Sequence, residues 1–295
     1  MNNGKKTEYA YKVAEHVFTL GFAPELELDS GAMLDNYAPF AYAGEYPALF
    51  TVSVVKSPAP AFEEETRQDE EGQQILCGHT QGNDAVFEFR LQNRTCGTLV
   101  CNGDYTRGTI HLTEFAPKFT INNSMMVLYA LATSRYRTAL FHSAVVRHEG
   151  YGYMFLGKSG TGKSTHARLW LKHIGNTELL NDDNPVVRVF DNEIRVFGSP
   201  WSGKTPCYRN EDCPLGAIVL LSQAPYNKIT RLRGIEAYAA LVPSISGKRW
   251  DRKIADGLHE TENALAMKVP TWYLECLPDE DAARTCHSAI RVCKG

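Results

Sequence analysis

The sequence predicts a chain of the α/β (α+β) class, and three features lead to this prediction. Short β-rich runs separated by Gly, Asn, Asp and Pro fill the chain up to about residue 118. An apolar strand, a glycine-rich loop and a helical stretch then follow one another over residues 153–173. Residues 186–197 alternate about the turn Asp191-Asn192, a pattern that is typical of a β-hairpin and not of a crossover helix.

The N-terminal region, residues 1–120, is predicted to be β-rich. Its acidic stretch from Glu63 to Glu71 has no apolar periodicity, so we interpret it as a solvated loop without an assigned function. A helix is predicted over residues 122–137, at the start of a nucleotide-binding domain that spans residues 121–295. The strands predicted for the first region are His16–Phe22, Ala48–Val55, Gln74–His79, Ala85–Leu91, Gly97–Asn102 and Thr109–Phe115.

Strands and helices mix in the second domain. Its first predicted strand, Leu140–Arg147, leads into a turn at residues 148–150, and its first helix after the glycine-rich loop ends with Gly175 at the C′ position. The other predicted elements are strands at Tyr153–Leu156, Glu178–Leu180 and Ala217–Leu221 and helices at Gly162–His173, Gly234–Leu241 and Ala282–Val292.

Composition and charge exclude several classes of protein. The chain has 295 residues, of which 43% are apolar and 22% charged, which fits neither a disordered chain nor a membrane-embedded body. Its formal net charge of −3 lacks the basic excess of proteins that bind nucleic acids or anionic membranes. Residues 1–16 are polar and do not resemble a signal peptide. We therefore expect a cytoplasmic protein with neither nucleic acid nor membrane as a partner.

The strongest motif is the octapeptide GKSGTGKS, a full match to the phosphate-binding pattern GxxxxGK[ST]. A strand precedes it and a helix follows it, so backbone N–H groups and the helix N-terminus can converge on phosphate oxygens. Lys163 is predicted to neutralise the β- and γ-phosphates, and the Ser164 hydroxyl to bind Mg²⁺. The predicted nucleotide-binding residues here are Gly157, Lys158, Ser159, Gly160, Thr161, Gly162, Lys163, Ser164 and Thr165.

Two adjacent aspartates, Asp182 and Asp183, follow a short apolar strand about twenty residues beyond this loop. A carboxylate in that place can reach a Mg²⁺ held between the β- and γ-phosphates. Because consecutive side chains at a strand end point in different directions, we assign the metal to Asp183 and expect Asp182 to orient or deprotonate an acceptor hydroxyl. Both are candidate metal ligands, and a plain turn is the alternative interpretation.

Two further features are candidates for the same site. His142 is predicted to lie on the strand before the loop, 15 residues ahead of Gly157, and to relay a proton, with core packing as the alternative. Residues 198–204, GSPWSGK, are predicted to form an active-site loop in which Lys204 neutralises phosphate charge and Trp201 walls the pocket. A plain turn with an anchoring Trp201 is the alternative for this segment.

Taken together, these residues resemble a known family. The strand histidine, FLGKSGTGKST, the LLNDD pair and the following hairpin are similar to the catalytic domain of HPr kinase/phosphatase and to the phosphoenolpyruvate carboxykinase-like fold, over about residues 138–290. The resemblance implies a P-loop in a mixed, largely antiparallel β core with flanking helices. It also implies that His142, Asp182 and Asp183 match the family's histidine and acidic pair. No segment near the C-terminus resembles the family's HPr-binding signature, so the acceptor does not follow from the resemblance.

The function expected from the residues and the resemblance is that of an ATP-dependent phosphotransferase. Its cofactors would be ATP and Mg²⁺, with Mn²⁺ as an alternative ion, and the acceptor a hydroxyl group of a protein, a peptide or a metabolite. The predicted catalytic residues are His142, Lys163, Asp182 and Asp183. An ATP-responsive regulatory protein without transfer and a phosphoenolpyruvate carboxykinase are the alternatives, and the oligomeric state stays open between a monomer and a homo-oligomer.

Overall fold

The computed structural model describes residues 7–26, 28–45, 47–203 and 205–291. The chain forms two compact units, Met1–Ala132 and Thr133–Gly295, each built around its own sheet. Both sheets are largely antiparallel and are accompanied by helices, which confirms the predicted α/β (α+β) class. Within the described residues, no helix combines the length and the apolar character needed to cross a bilayer. The division of function between two domains stays a prediction.

The first unit contains an eight-stranded sheet with the order β1-β2-β3-β8-β7-β6-β5-β4. Its core includes the stacked rings of Phe18 and Phe50, whose centroids are 5.0 Å apart, and Tyr129 of the last helix, whose hydroxyl donates to Val13 O at 3.0 Å. The elements are β1 (Thr7–Val13), β2 (His16–Phe22), α1 (Ser30–Met33), β3 (Phe50–Val55), β4 (Glu63–Glu70), β5 (Gln73–His79), β6 (Ala85–Leu91), β7 (Arg94–Cys101), β8 (Arg107–Leu112) and α2 (Pro117–Thr133).

The acidic stretch is not a loop, which corrects the prediction. Glu63–Glu70 is the edge strand β4, paired antiparallel with β5, and nearly all of its side chains are exposed. Because both faces of this strand meet water, it shows no alternation of apolar and polar residues that sequence analysis could recognise. Its charges also disfavour pairing with another chain at the open edge.

The second unit contains a nine-stranded sheet in which β11 runs parallel to β15, and β15 parallel to β17, while the other pairs are antiparallel. The order is β12-β10-β11-β15-β14-β13-β9, with β17 beside β15 and β16 beside β17. The elements are β9 (Thr138–Leu140), β10 (Ser143–His148), β11 (Tyr151–Leu156), α3 (Lys163–His173), β12 (Thr177–Asn181), β13 (Val186–Val189), β14 (Ile194–Phe197), β15 (Asp212–Gln223), β16 (Lys228–Leu232), α4 (Ile235–Leu241), α5 (Arg252–Lys268), β17 (Thr271–Cys276) and α6 (Glu280–Ile290).

Three predictions for this unit are confirmed and one is wrong in detail. β13 and β14 form the predicted hairpin, and α3 follows the glycine-rich loop as predicted. The predicted strand Leu140–Arg147 is broken at Phe141-His142, because β9 pairs with β13 whereas β10 pairs with β11 and β12. Ile174 is the C-cap of α3, so Gly175 occupies the predicted C′ position, and the left-handed φ of 57° falls on the next residue, Asn176.

The core of the second unit holds α3 against β11. Trp170 of α3 is fully buried, with ring centroids 5.2 Å from Tyr153 and 5.6 Å from Phe155. His166 is also buried, stands edge-on to Phe155 at 4.7 Å, and accepts a hydrogen bond from Trp170 Nε1 at 3.2 Å. Both ends of the glycine-rich loop are therefore fixed to one core.

His166 should make stability depend on pH. Burial lowers the pKa of its imidazole from 6.5 to about 4, so between these values the unfolded chain binds a proton that the folded chain does not. The free energy of unfolding should consequently fall by about 3 kcal/mol as the pH falls from about 6.5 to about 4. Urea unfolding at several pH values should show a smaller loss in His166→Gln, whose amide can still accept from Trp170. Equal losses in both proteins would contradict this prediction.

Candidate functional site

The glycine-rich loop has the backbone geometry of an anion site. Residues 157–162 connect β11 to α3, and Gly160 and Gly162 have φ values of 76° and 108°, which strain any residue with a Cβ. Gly162 is the N-cap of α3, and no side chain of a described residue caps this end. The first N–H groups of α3 are thus oriented for phosphate oxygens, and the helix dipole favours negative charge there.

Lys163 places a cation inside this loop. Its side chain is buried, and Nζ donates to Gly157 O at 3.0 Å and to Lys158 O at 3.4 Å. Ser164 follows in the first turn of α3 and is partly buried, whereas Thr165 is exposed. The predicted contacts of Ser159 and Thr161 with a nucleotide stay predictions, as does the role of Thr165.

The sheet brings the acidic pair to the start of the loop. Ser143 pairs with Leu156, the last residue before the loop, so their Cα atoms are separated by about 5 Å as in any antiparallel pair. The N–H of the same Ser143 donates to Asp183 O at 2.8 Å. His142 Nδ1 then contacts Asp183 Oδ1 at 3.0 Å. His142 and Asp183 therefore meet beside the loop, although His142 lies in the break between β9 and β10 and not on a strand as predicted.

The two aspartates have different surroundings. Asp183 is the more accessible, with 30% of its side chain exposed, and its Oδ2 accepts from Asn184 Nδ2 at 2.7 Å. Asp182 is only 5% exposed, and its Oδ2 accepts from the N–H of Thr205 at 3.3 Å. Among the described residues, no donor reaches Asp182 Oδ1. Within the described part of the chain, Asp182 Oδ1 thus accepts no hydrogen bond, while both oxygens of Asp183 are engaged.

A buried polar cluster fixes the acidic pair from behind. Asn181 Oδ1 accepts from the N–H of Asp183 at 2.9 Å, and its Nδ2 donates to Ser199 Oγ at 3.2 Å and to Trp201 O at 3.3 Å. Ser199 Oγ donates to Asn184 O at 2.6 Å. Asn181 and Ser199 are completely buried. Sequence analysis missed both residues, although an Asn that ends an apolar strand directly before two acids is a usable signal.

The segment GSPWSGK folds over the aspartates. A Cβ on Gly203 would meet Asp183 Cβ at 3.2 Å, which explains a glycine at this close approach. Trp201 is 5% exposed, and its burial favours the anchoring interpretation over an open pocket wall. Lys204, predicted to neutralise phosphate charge, lies outside the described residues.

The residues present fit a Mg²⁺ ion bound together with phosphates. No group of three or more His, Cys, Asp or Glu side chains in the described ranges forms a metal site by itself. Mg²⁺ typically takes one or two carboxylates and completes its shell with water and phosphate oxygens. The Ser164 hydroxyl and the carboxylates of Asp182 and Asp183 are hard oxygen donors of the required kind.

A separate cavity of about 440 Å³ lies at the opposite end of β10 and β11, around Glu149 and Gly150. Its two arginines are already engaged, since Arg147 contacts Glu178 at 2.8 Å and Glu211 at 2.7 Å, and Arg195 contacts Glu193 at 2.9 Å. The cavity thus presents paired charges and lies at the far end of the strands from the glycine-rich loop. We do not assign the candidate chemistry to it.

Comparisons with known proteins found weak structural similarity and no match in sequence. Neither a protein-family model nor a curated protein matches the chain. Among solved structures, the chain is similar to the Hpr(Ser) kinase/phosphatase from Coxiella burnetii, with a TM-score of 0.32 and 10% sequence identity. The similarity covers 52% of this chain and 88% of that chain. Nothing about the site or the reaction follows at this TM-score, so the function must be inferred from this chain's own residues.

The buried cluster yields a prediction for Ser199→Ala. This change removes the donor to Asn184 O and the acceptor for the N–H of Trp201, and a buried polar group left without a partner costs about 1–3 kcal/mol. We expect urea unfolding to show a loss in that range. Ser202→Ala, which removes one partly buried bond to Thr205 O in the same loop, should cost less than about 1 kcal/mol. Similar losses in both variants would contradict the importance of the cluster.

Proposed function

We propose that this chain is an ATP-dependent phosphotransferase that binds Mg·ATP at residues 157–164 and transfers the γ-phosphoryl group to a hydroxyl acceptor. One observation carries the proposal: Ser143 is paired with the residue before the loop and bonded to the backbone of Asp183, whose carboxylate contacts His142. A phosphate-binding loop is thereby adjacent to a pair of groups that can hold and move a proton.

Binding would depend on the loop and on Lys163. The uncapped N–H groups of α3 and the Lys163 ammonium supply positive potential to the β- and γ-phosphates, and charge-assisted hydrogen bonds of this kind are the strong ones. Asp182 and Ser164 would hold Mg²⁺, which when bound neutralises charge on the phosphate oxygens. Since Asp182 Oδ1 accepts no hydrogen bond from the described residues, this aspartate is favoured over Asp183 as the principal metal ligand, the reverse of the sequence-based assignment.

The proton of the acceptor would pass to the His142–Asp183 pair. If Nδ1–H of His142 donates to Asp183, Nε2 carries the free lone pair, and 40% of the His142 side chain is exposed to an incoming acceptor. His142 Nε2 takes the hydroxyl proton as the acceptor oxygen bonds to the γ-phosphorus, and the bond from that phosphorus to the β,γ-bridging oxygen breaks. ADP and the phosphorylated acceptor are the products. Asp183 keeps the ring oriented and stabilises the imidazolium.

Two substitutions separate binding from transfer. Lys163→Ala removes the loop's cation and should weaken Mg·ATP binding at least about tenfold by calorimetry, because a charged hydrogen-bond partner is lost.

His142→Asn should leave the dissociation constant of Mg·ATP unchanged and lower the rate of transfer by about 10²–10⁴-fold, the range of general-base catalysis. Transfer is measured with γ-labelled ATP in cell extract, and label on a specific acceptor is the expected result.

Arg168→Ala is the matched control, since Arg168 is exposed on the same helix α3 and should affect neither quantity. If the wild-type protein binds Mg·ATP tightly but neither transfers nor hydrolyses the γ-phosphate, an ATP-responsive regulatory protein is the correct description. Absence of any Mg·ATP binding would refute both.

A further inference from the structure

Glu262 of α5 is a buried carboxylate that the proposed reaction does not use. Its side chain has no exposed surface, yet both of its oxygens have partners. Oε1 accepts from Arg249 at 2.6 Å, and Oε2 accepts from the hydroxyl of Tyr238 at 2.6 Å. A fully buried carboxylate is tolerated only where each of its oxygens has a partner, because removal of one partner leaves an uncompensated buried charge.

The two partners of Glu262 flank one short segment of the chain. Tyr238 of α4 precedes residues 242–246, and Arg249 follows them. Arg249 also donates to the carbonyl of Val242, the first residue of the segment, at 3.0 Å. Glu262 therefore ties together both ends of the 242–246 segment through two different elements.

Tyr238 is a dependable donor in this arrangement. Burial and the hydrogen bond to Glu262 raise the pKa of its phenol to about 12, so the hydroxyl stays protonated at neutral pH. His259 Nδ1 also contacts this hydroxyl at 2.9 Å, and the other nitrogen of His259 contacts Asn263 at 2.9 Å. The hydroxyl can donate to Glu262 and accept from His259 at the same time.

The 242–246 segment in turn supports the backbone at His142. The N–H of His142 donates to Ser244 O at 2.6 Å, and the N–H of Ser246 donates to Leu140 O at 2.9 Å. Phe141 and Ile245 form an isolated antiparallel bridge between these two bonds. Since His142 lies in the break between β9 and β10, no strand ladder fixes it, and the segment supplies the missing constraint.

We propose that Glu262 is a positioning residue for His142: it holds Tyr238 and Arg249, they hold the 242–246 segment, and this segment holds the His142 backbone. The consequence is the 3.0 Å contact between His142 and Asp183. A looser segment would let the imidazole leave this contact and would slow proton transfer without changing the phosphate-binding loop. The inference rests on the proposed function for its catalytic meaning, but its structural part can be tested separately.

Amide hydrogen exchange resolved by NMR tests the structural part in the full-length protein. Glu262→Gln loses one charged hydrogen bond, which should make the locally opened state of the 242–246 segment about tenfold more populated. The N–H groups of His142 and Ser246 should therefore exchange about tenfold faster than in the wild type. Amides of β11 should be unchanged. Asp256→Asn is the control, because Asp256 lies on the same helix α5 in an exposed pair with Arg252 and should change neither amide.

Kinetics test the catalytic part. In Glu262→Gln the kcat of transfer should fall about tenfold while the dissociation constant of Mg·ATP stays as in the wild type, a split that general destabilisation would not produce. If Glu262→Gln does not fold, Tyr238→Phe decides, because it removes only one hydroxyl; we expect about threefold faster exchange at His142.

The outcomes distinguish the two proposals. Unchanged exchange at His142 in a folded Glu262→Gln or Tyr238→Phe variant overturns the role of Glu262, whatever the reaction is. Faster exchange at His142 with kcat unaltered also overturns it, since the segment would then support the fold and not the histidine's chemistry. A wild-type protein that transfers no phosphoryl group refutes the proposed function, and the exchange data still show whether Glu262 orders His142.

Discussion

Three successive backbone N–H groups connect the parts of this site. The N–H of Phe141 donates to Pro185 O at 3.1 Å. The N–H of His142 donates to Ser244 O at 2.6 Å, and the N–H of Ser143 donates to Asp183 O at 2.8 Å. A regular strand would direct these groups to the neighbouring strands of its sheet, and here they are directed to two loops instead. The break in the strand is thus the reason that an acidic segment and a supporting segment meet at the start of the glycine-rich loop.

The surrounding structure satisfies the backbone N–H groups at this break. Buried amide groups without partners would cost several kcal/mol, but each of the three has an acceptor, and side chains hold the segments that carry the accepting carbonyls. Asn181 and Ser199 fix residues 183 and 184 from one side, and Arg249 fixes residue 242 from the other. Side-chain hydrogen bonds at these positions therefore fix the backbone, as the hydrogen bonds between strands do in the rest of the sheet.

The sequence was most informative where local rules suffice. The motif GKSGTGKS between a strand and a helix, and the alternation about Asp191-Asn192, predicted the loop, α3 and the β13–β14 hairpin, because each depends on neighbouring residues alone. The break at His142 could not be predicted, since its partners at residues 183–185 and 244 are distant in sequence. The edge strand β4 was missed because an exposed strand has no apolar face, and Glu262 because a single acid on a helix looks like any solvated residue.

The most direct measurement is a crystal structure with a non-hydrolysable ATP analogue and Mn²⁺, located by its anomalous signal. We expect the triphosphate on the amides of residues 157–164 and the Mn²⁺ peak within bonding distance of Asp182, with His142 still in contact with Asp183. A triphosphate bound elsewhere, or a metal peak remote from both aspartates, would contradict the central claim that the broken strand unites a nucleotide loop with its acidic pair.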